Sequence, residues 1–552
     1  MPRKHALELN LVALLTAISG VVTLSNTLIA LAHIHRARIV LADAHLSVIA
    51  GLSLIYLATL LRRGKYNAWL ISIPIYIYLI LRNYRHFVFD LKRDEREAIA
   101  LLNLLLPIVI LGLLFIFRNS FKVRSEIRSF TVAIRRAILI LLVAFLYGIG
   151  GFALMDEHDF HQDISFASAA HYTVDQFGLT TTEQLTPYTK RANLFLDSLG
   201  VISVGSVFYA TVSFFAPIRF RLRHSQTDYD DARKLVRKYS NSSEDFFKLW
   251  PRDKAYFFSA DRQALIAYKV TSNVALAVAD PIGPKSHLRN LVANFMEYCR
   301  LNDWAPAFIH TSDQNLRLFE SQGLSVQKIG EEALVDIGHF NERVASNKYF
   351  RNIKNKFSKN GYSFELLVSP YDSDTLKRLE EISAEWLEIP GRTERGFMMG
   401  HYSDAYLQIC SLFVARDQAG QIQAFLNQVP TFKPDEANFD MLRSSAAALT
   451  NTNDYLMVNL FSYLGEHGYK QLNMGLSPLS GLEPDQENDR SAIDALLHFV
   501  YDNADRFYSF QGLARFKSKY EPHWQDRYIV YRGALPSFTR AMNALLKAMR
   551  IN

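Results

Sequence analysis

"AYFFSADRQALIAYKVTSNVALAVADPIG", residues 255–283, holds short apolar runs separated by "ADRQ" and "TSN" and closed by a turn at Asp280-Pro281. Aromatic and β-branched residues between such turn signals read as strands, so this stretch predicts a meander that opens a sheet. Helical spacing follows. In "SHLRNLVANFMEYCRLND" (286–303) apolar residues recur every third or fourth position, and "WAPAFIH" after it reads as a strand. "SDQNLRLFESQG" reads as a helix with Ser312 as N-cap and Gly323 as C-cap, and "EEALVDI" (331–337) returns as a strand.

The same order comes back downstream. "YSFELL" (362–367) reads as a strand, "DTLKRLEEISAEWLE" (374–388) as a helix and "LFVARDQAGQIQAFLNQVP" (412–430) as a hairpin turning at "DQAG". Next come a strand "NFDMLRS" (438–444), a helix "NDYLMVNLFSYLGEHG" (453–468) ended by Gly468, and a strand "KQLNMG" (470–475). Meander, helix, strand, helix, strand thus occurs twice, which predicts α/β units over 221–340 and 362–552 joined by a basic connecting helix in 341–361. That connector contains "KYFRNIKNKFSKNGYSFEL" (348–366), where Lys348, Arg351, Lys354, Lys356 and Lys359 stand with no acid among them. At ~100° per residue Phe350, Ile353 and Phe357 share one face, so the expected helix seals the seam with that face and turns its cations outward.

Residues 1–220 differ in kind. Long apolar stretches at 11–33, 40–61, 67–82, 97–117, 134–155 and 194–216 predict an α-helical transmembrane bundle of about six spans. "RRGK" (62–65), "RNSFKVRSEIR" (118–128) and "RFRLRH" (219–224) are basic, whereas "MDEHDFHQD" (155–163) is acid-rich. The positive-inside rule then places the α/β domain in the cytoplasm of a multi-pass inner-membrane protein, although the cationic "RNYRHFVFDLKRDERE" (82–97) falls outside by the same count. Asp43 and His45, costly in lipid, are expected to face the bundle interior, and His158 and His161 to belong to an ordinary polar loop. The net charge of +7 over 552 residues suits anionic partners. The two cysteines, Cys299 and Cys410, lie far apart and indicate neither a zinc site nor a disulfide framework; no metal is expected.

The element order within each unit resembles the N-acetyltransferase superfamily, but the (Q/R)xxGx(G/A) turn that usually holds coenzyme A there is missing from both. A donor other than coenzyme A, and no cofactor, is therefore expected. "ADPIGP" (279–284), "FESQGLSVQKIGEEALVDI" (319–337), "RNIKNKFSKNGYSFEL", "RGFMMG" (395–400), "DMLRS" (440–444), "LNMGLSPLSGL" (472–482) and "FYSFQGLARFKSKYEPHWQDRYIVY" (507–531) resemble, in order, the catalytic domain of the phosphatidylglycerol lysyltransferase (multiple peptide resistance factor) family. The membrane half is similar to that family's last spans, as a short form lacking most of the flippase region.

The resemblance implies transfer of an aminoacyl group, lysyl or alanyl, from aminoacyl-tRNA to phosphatidylglycerol. It puts the family's Asp-x-x-Arg on Asp440 and Arg443 as the catalytic pair. Three residues apart on a regular strand means opposite faces, so both reach one site only where the strand ends or bulges. Lys348, Arg351, Lys354, Lys356 and Lys359 are then candidates for tRNA or lipid phosphates. So are Arg515, Lys517 and Lys519, whose alternation with Phe516 and Tyr520 reads as one strand face. Glu331 and Glu332 are candidates for the aminoacyl ammonium. Two alternatives stay open: an acyltransferase of this fold with another donor or acceptor, and a non-catalytic lipid transporter or scaffold.

Overall fold

The computed structural model describes residues 3–33, 41–91, 97–123, 127–155, 157–162, 164–176, 187–213, 222, 225–481 and 510–551. Asp156, Asp163 and most of 92–97 and 219–224 lie outside the described residues, as do the side chains of Asp43 and His45. The chain divides into two compact units, Met1–Arg219 with Arg300–Asp303, and Phe220–Cys299 with Trp304–Asn552.

The first unit is helical, with long helices Arg3–His33, Leu41–Arg62, Tyr66–Leu91, Glu97–Ile116, Ile127–Ala153 and Lys190–Ser213. Leu9, Val12, Leu54, Leu57, Leu61, Tyr76, Ile110 and Leu114 share one buried cluster. Gly20 and Gly51 let the first two helices approach closely: a Cβ on Gly20 would sit 2.8 Å from the Gly51 carbonyl oxygen. Among the described residues one helix, over Ala6–Asn26, is long and apolar enough to cross a membrane. Shorter apolar helical stretches occur at Ser47–Arg62, Leu101–Ile116 and Ile138–Ala153.

The second unit is built on one mixed sheet of eleven strands in the order β1-β2-β3-β4-β11-β5-β10-β9-β8-β7-β6. The predicted meander is β1 (Ala255–Phe258), β2 (Leu265–Thr271) and β3 (Val274–Val278), all antiparallel. Helix Lys285–Leu301 then crosses over to β4 (Ala305–Thr311), parallel to β3. Every residue of β3 is buried, as expected for a strand covered on both faces. β5 (Ser325–Asp336) follows and is longer than its apolar core, because "SVQKIG" joins it.

The downstream run repeats the device. β6 (Ser363–Leu367), β7 (Ser411–Arg416), β8 (Ile422–Gln428) and β9 (Glu436–Ser444) are antiparallel, and helix Thr452–Glu466 crosses over to β10 (Gln471–Pro478), parallel to β9. β11 (His523–Tyr531) departs from sequence order. It lies between β4 and β5, antiparallel to both, pairing Ile529 with Ile309 and Trp524 with Ala333. The helix after it, Leu535–Ala548, packs Phe538, Ala541, Ala544 and Ala548 beside Val274, Leu276 and Ile529, so its apolar face is spent on the sheet.

The basic helix forms as predicted, over Lys348–Lys359, with Asn347 accepting the Phe350 N–H at 3.0 Å as its N-cap. Phe350, Ile353 and Phe357 are buried in a cluster with Ala333 and Val335 of β5 and Tyr455 and Phe461 of helix Thr452–Glu466. The Phe357 and Tyr455 rings stack at 4.5 Å. Two local expectations are corrected. Ser312 makes no cap bond, because its hydroxyl donates to Asp280 at 2.7 Å instead. The stretch "GLARFKSKY" (512–520), expected as a strand, lies for the most part in helix Phe510–Ser518: Phe516 and Tyr520 stand four apart, a spacing that serves a helical face as well as a strand face.

Candidate active site around Asp440

The pairing of β8 with β9 shifts at one point. Leu426 faces Leu442 and Gln428 faces Phe439, so Asp440 and Met441 together oppose the single residue Asn427. This is a β-bulge, and the Asn427 side-chain oxygen holds it by accepting the Met441 N–H at 2.6 Å. The extra residue resets the alternation. Phe439 and Leu442 both pack against the cluster containing the basic helix, while Met441 joins Tyr406 on the other side of the sheet. Asp440 and Arg443 are thereby brought to one face, as the catalytic assignment requires.

Asp440 is held from two directions. Its Oδ2 accepts the Gly400 N–H at 2.6 Å and the Tyr406 hydroxyl at 2.8 Å. Gly400 has to be a glycine for this approach, because a Cβ would run into the Tyr406 ring and Asp440 itself. Tyr406 is fixed by its ring, stacked at 5.5 Å on Trp250. Desolvation pushes the Asp440 carboxyl up to about 6, against the lowering effect of Tyr406, Gly400 and Arg443. Arg443, 4% exposed, donates to Glu394 at 2.7 Å, and its guanidinium lies 4.6 Å from the centre of the Trp386 ring. Glu394, Gly400 and Tyr406 all come from the segment between helix Ser373–Leu387 and β7; Gly400 ends the "RGFMMG" stretch, while Glu394 and Tyr406 carried no sequence signal.

A second polar group lies across β5, β10 and β11. Glu332, fully buried, is paired with Arg527, and Lys517, 4% exposed, donates to the carbonyls of Gly475 at 2.8 Å and Leu476 at 2.9 Å. These carbonyls are free because β10 shifts register between Asn473 and Leu476, with Gly475 at φ +75. Burial pushes the Lys517 amine down to about 7, opposed by Glu332 and Glu244. Glu244 links this group to Asp440: burial first, then the charges of Glu332, Asp440 and Glu436, push its carboxyl up to about 8.

The remaining candidates separate. Lys348, Arg351, Lys354 and Lys359 are exposed on the basic helix, and Lys356, also exposed, donates to the Thr450 carbonyl at 2.8 Å. The expectation that Arg515, Lys517 and Lys519 share one face is corrected, since residues two apart on a helix point about 200° apart. Arg515 is exposed, Lys517 is buried, and Lys519 is paired with Asp454 at 3.1 Å. Glu331 neighbours Glu332 in sequence but faces the other way, bonded to Lys328 at 3.0 Å.

Comparison with known proteins agrees with this architecture. Residues 233–531 match the family model described as phosphatidylglycerol lysyltransferase, C-terminal. A phosphatidylglycerol lysyltransferase of Staphylococcus epidermidis is 28% identical over 333 residues, which cover 60% of this chain and 39% of that protein. One from Staphylococcus aureus strain MRSA252 is 24% identical over 448 residues, 81% of this chain and 52% of that protein. The chain therefore spans about half or less of the length of these relatives. The structure of L-PGS from Bacillus licheniformis covers 59% of this chain and 98% of its own, at 27% identity and a TM-score of 0.51. With the match over 233–531 taking in more than half of its residues, the chain belongs to the phosphatidylglycerol lysyltransferase family.

Proposed function

We propose that this protein transfers an aminoacyl group, lysyl or alanyl, from aminoacyl-tRNA to a hydroxyl of phosphatidylglycerol, so lowering the negative charge of the membrane. The observation that carries this reading is the bulge at Asp440 and Met441, which turns a carboxylate and a guanidinium to one face. The lipid hydroxyl oxygen attacks the ester carbonyl carbon and its proton passes to the Asp440 carboxylate. Arg443 neutralises the developing oxyanion or the lipid phosphate, and the ester bond to the ribose oxygen breaks as that oxygen takes up a proton. A carboxyl near 6 is ionised at neutral pH and a better base than an ordinary aspartate. Because an aminoacyl ester is already activated, positioning supplies much of the rate.

Several features support the partners. The exposed cations of the basic helix suit tRNA or headgroup phosphates. The segment that delivers Glu394 and Gly400 also exposes Ile389 and Met399, apolar side chains suited to lipid beside Arg443. Leu7, Leu11, Leu14, Ile18 and Val21 on the first helix, and Leu139, Leu142, Val143 and Leu146 on helix Ile127–Ala153, are exposed, which favours the multi-pass bundle of about six spans. On this reading the repeated run is a pair of acyltransferase-like halves, 221–340 and 362–552, on the cytoplasmic side. The test is transfer of radiolabelled lysine or alanine from charged tRNA to phosphatidylglycerol vesicles. Labelled lipid from the wild type and none from Asp440→Ala is expected; no labelled lipid from folded wild type with either donor would sink the reading.

A further inference from the structure

One stretch of chain, between helix Ser373–Leu387 and β7, holds both groups of the transfer site. Gly400 donates its N–H to Asp440 at 2.6 Å, and Glu394 accepts from the Arg443 guanidinium at 2.7 Å. The two parts of this stretch differ in how firmly they are fixed. Gly396 donates to the Met549 carbonyl at 2.8 Å, and the Phe397 ring is fully buried, with the Lys254 and Lys269 amines 5.5 and 5.9 Å from its centre. Upstream, residues 387–391 are exposed, and Gly391 turns the chain at φ +84, a conformation that favours glycine. Glu394 stands between the exposed part and the pinned one, with 21% of its side chain open to solvent.

The charges at Arg443 leave no room for an added anion. The Asp440 carboxyl, raised chiefly by its own desolvation, also feels Arg443 pulling it down and Glu394 pushing it up, so two carboxylates already share one guanidinium. A phosphodiester brought to Arg443 would add a further negative charge beside Glu394, where burial weakens screening by water. Exchange removes the conflict. A phosphodiester and a carboxylate each carry one negative charge and each accept from a guanidinium fork, so one can take the other's place with the charge around Asp440 unchanged. The buried cation is then never left unpaired, which is the costly state. Arg443 is buried and Glu394 is partly open, so the acid is the partner able to leave.

We propose that Glu394 is a displaceable placeholder: its carboxylate holds Arg443 until the phosphodiester of the lipid acceptor takes its place, and residues 387–395 then swing outward. The inference rests on the aminoacyl transfer proposed above and adds to it a step that precedes the chemistry. Glu394 acts through Arg443 and is therefore a positioning residue, one that competes with the acceptor for the cation. The Trp386 ring, 4.6 Å from the guanidinium, keeps Arg443 in place during the exchange. Ile389 and Met399, apolar and exposed on either side of Glu394 in sequence, suit a phosphodiester carried on a lipid.

Two variants test this. Glu394→Gln keeps the size of the side chain and an acceptor oxygen for Arg443 but removes the competing charge, whereas Glu394→Asp keeps the charge. Transfer is measured against the phosphatidylglycerol fraction of vesicles at saturating donor. Glu394→Gln should lower the apparent KM for phosphatidylglycerol by at least about threefold, and Glu394→Asp should stay closer to wild type. A carboxylate that merely orients Arg443 predicts the reverse, a reduced kcat with KM unchanged or raised, and that result overturns the proposal. Independently, binding of glycerophosphoglycerol, the lipid headgroup without its acyl chains, to the full chain in detergent is followed by calorimetry. Tighter binding to Glu394→Gln than to wild type supports the exchange, and equal or weaker binding overturns it. This second measurement needs no donor. Tighter headgroup binding to Glu394→Gln, alongside a folded wild type that transfers nothing, overturns the transfer reading and leaves the exchange standing.

Discussion

Asp440 carries opposed demands on one carboxyl. Desolvation raises its proton affinity while Tyr406, the Gly400 N–H and Arg443 favour the anion, and the balance falls at about 6. Since the carboxylate is the form that accepts a proton, activity should rise as pH climbs through about 6 and be lost below it, read from kcat/KM against pH. The sign for stability is opposite. A carboxyl held above its unfolded value binds its proton more tightly when folded, so its contribution favours the fold below that range and is lost as pH rises through about 6. Asp440→Asn should therefore abolish transfer yet melt no lower than wild type at pH 7, whereas a clear loss of melting temperature would point to a structural carboxylate. Asp440 and Arg443 were singled out in the sequence through the family resemblance. The roles of Tyr406, Gly400 and Glu394 were not, because they come from a mostly irregular segment with one short helix, Asp404–Leu407, and no periodicity marks it, although Gly400 ends the "RGFMMG" stretch.

At the scale of elements, the bulge in β9 is the feature on which the site turns. Asn427→Leu would remove the acceptor that holds the Met441 N–H and should cost about 1–3 kcal/mol of stability, with a larger proportional loss of transfer as Arg443 swings away from Asp440. Chemical denaturation with activity on the same sample checks this, and unchanged activity would show that the bulge stands without its anchor. For the basic helix, reversing Lys354 and Lys359 to Glu should leave the fold intact, since both are exposed, and flatten the salt dependence of donor or vesicle binding. An unchanged salt slope would make these cations a solvated face. Strands β1 to β3 were legible because Asp261 to Gln263 and Thr271 to Asn273 break the apolar runs at their turns. The helix at 510–518 was not, because its aromatic spacing suits two periods, and neither was the bulge, which depends on an asparagine in the neighbouring strand.

At the scale of the molecule, the repeated meander, crossover helix and parallel strand could be read from local pattern, whereas the place of β11 could not. Strand order is set by pairing between distant segments, and nothing within "HWQDRYIVY" says that its neighbours are β4 and β5. A chain ending at Glu521 would lose a central strand and leave two exposed edges. It should be recovered in aggregates or be rapidly digested by protease, and a soluble, protease-resistant product would contradict the assigned topology. The interior position of β11 also bears on biosynthesis. β1 to β5 leave the ribosome long before the strand that must sit among them, so the sheet stays open until β11 has been translated. The Arg527 counter-charge for Glu332 arrives on that same late strand, so a chain lacking it would carry Asp440 and Arg443 without a closed polar interior. Emergence of β11 is thus the event that lets the sheet close.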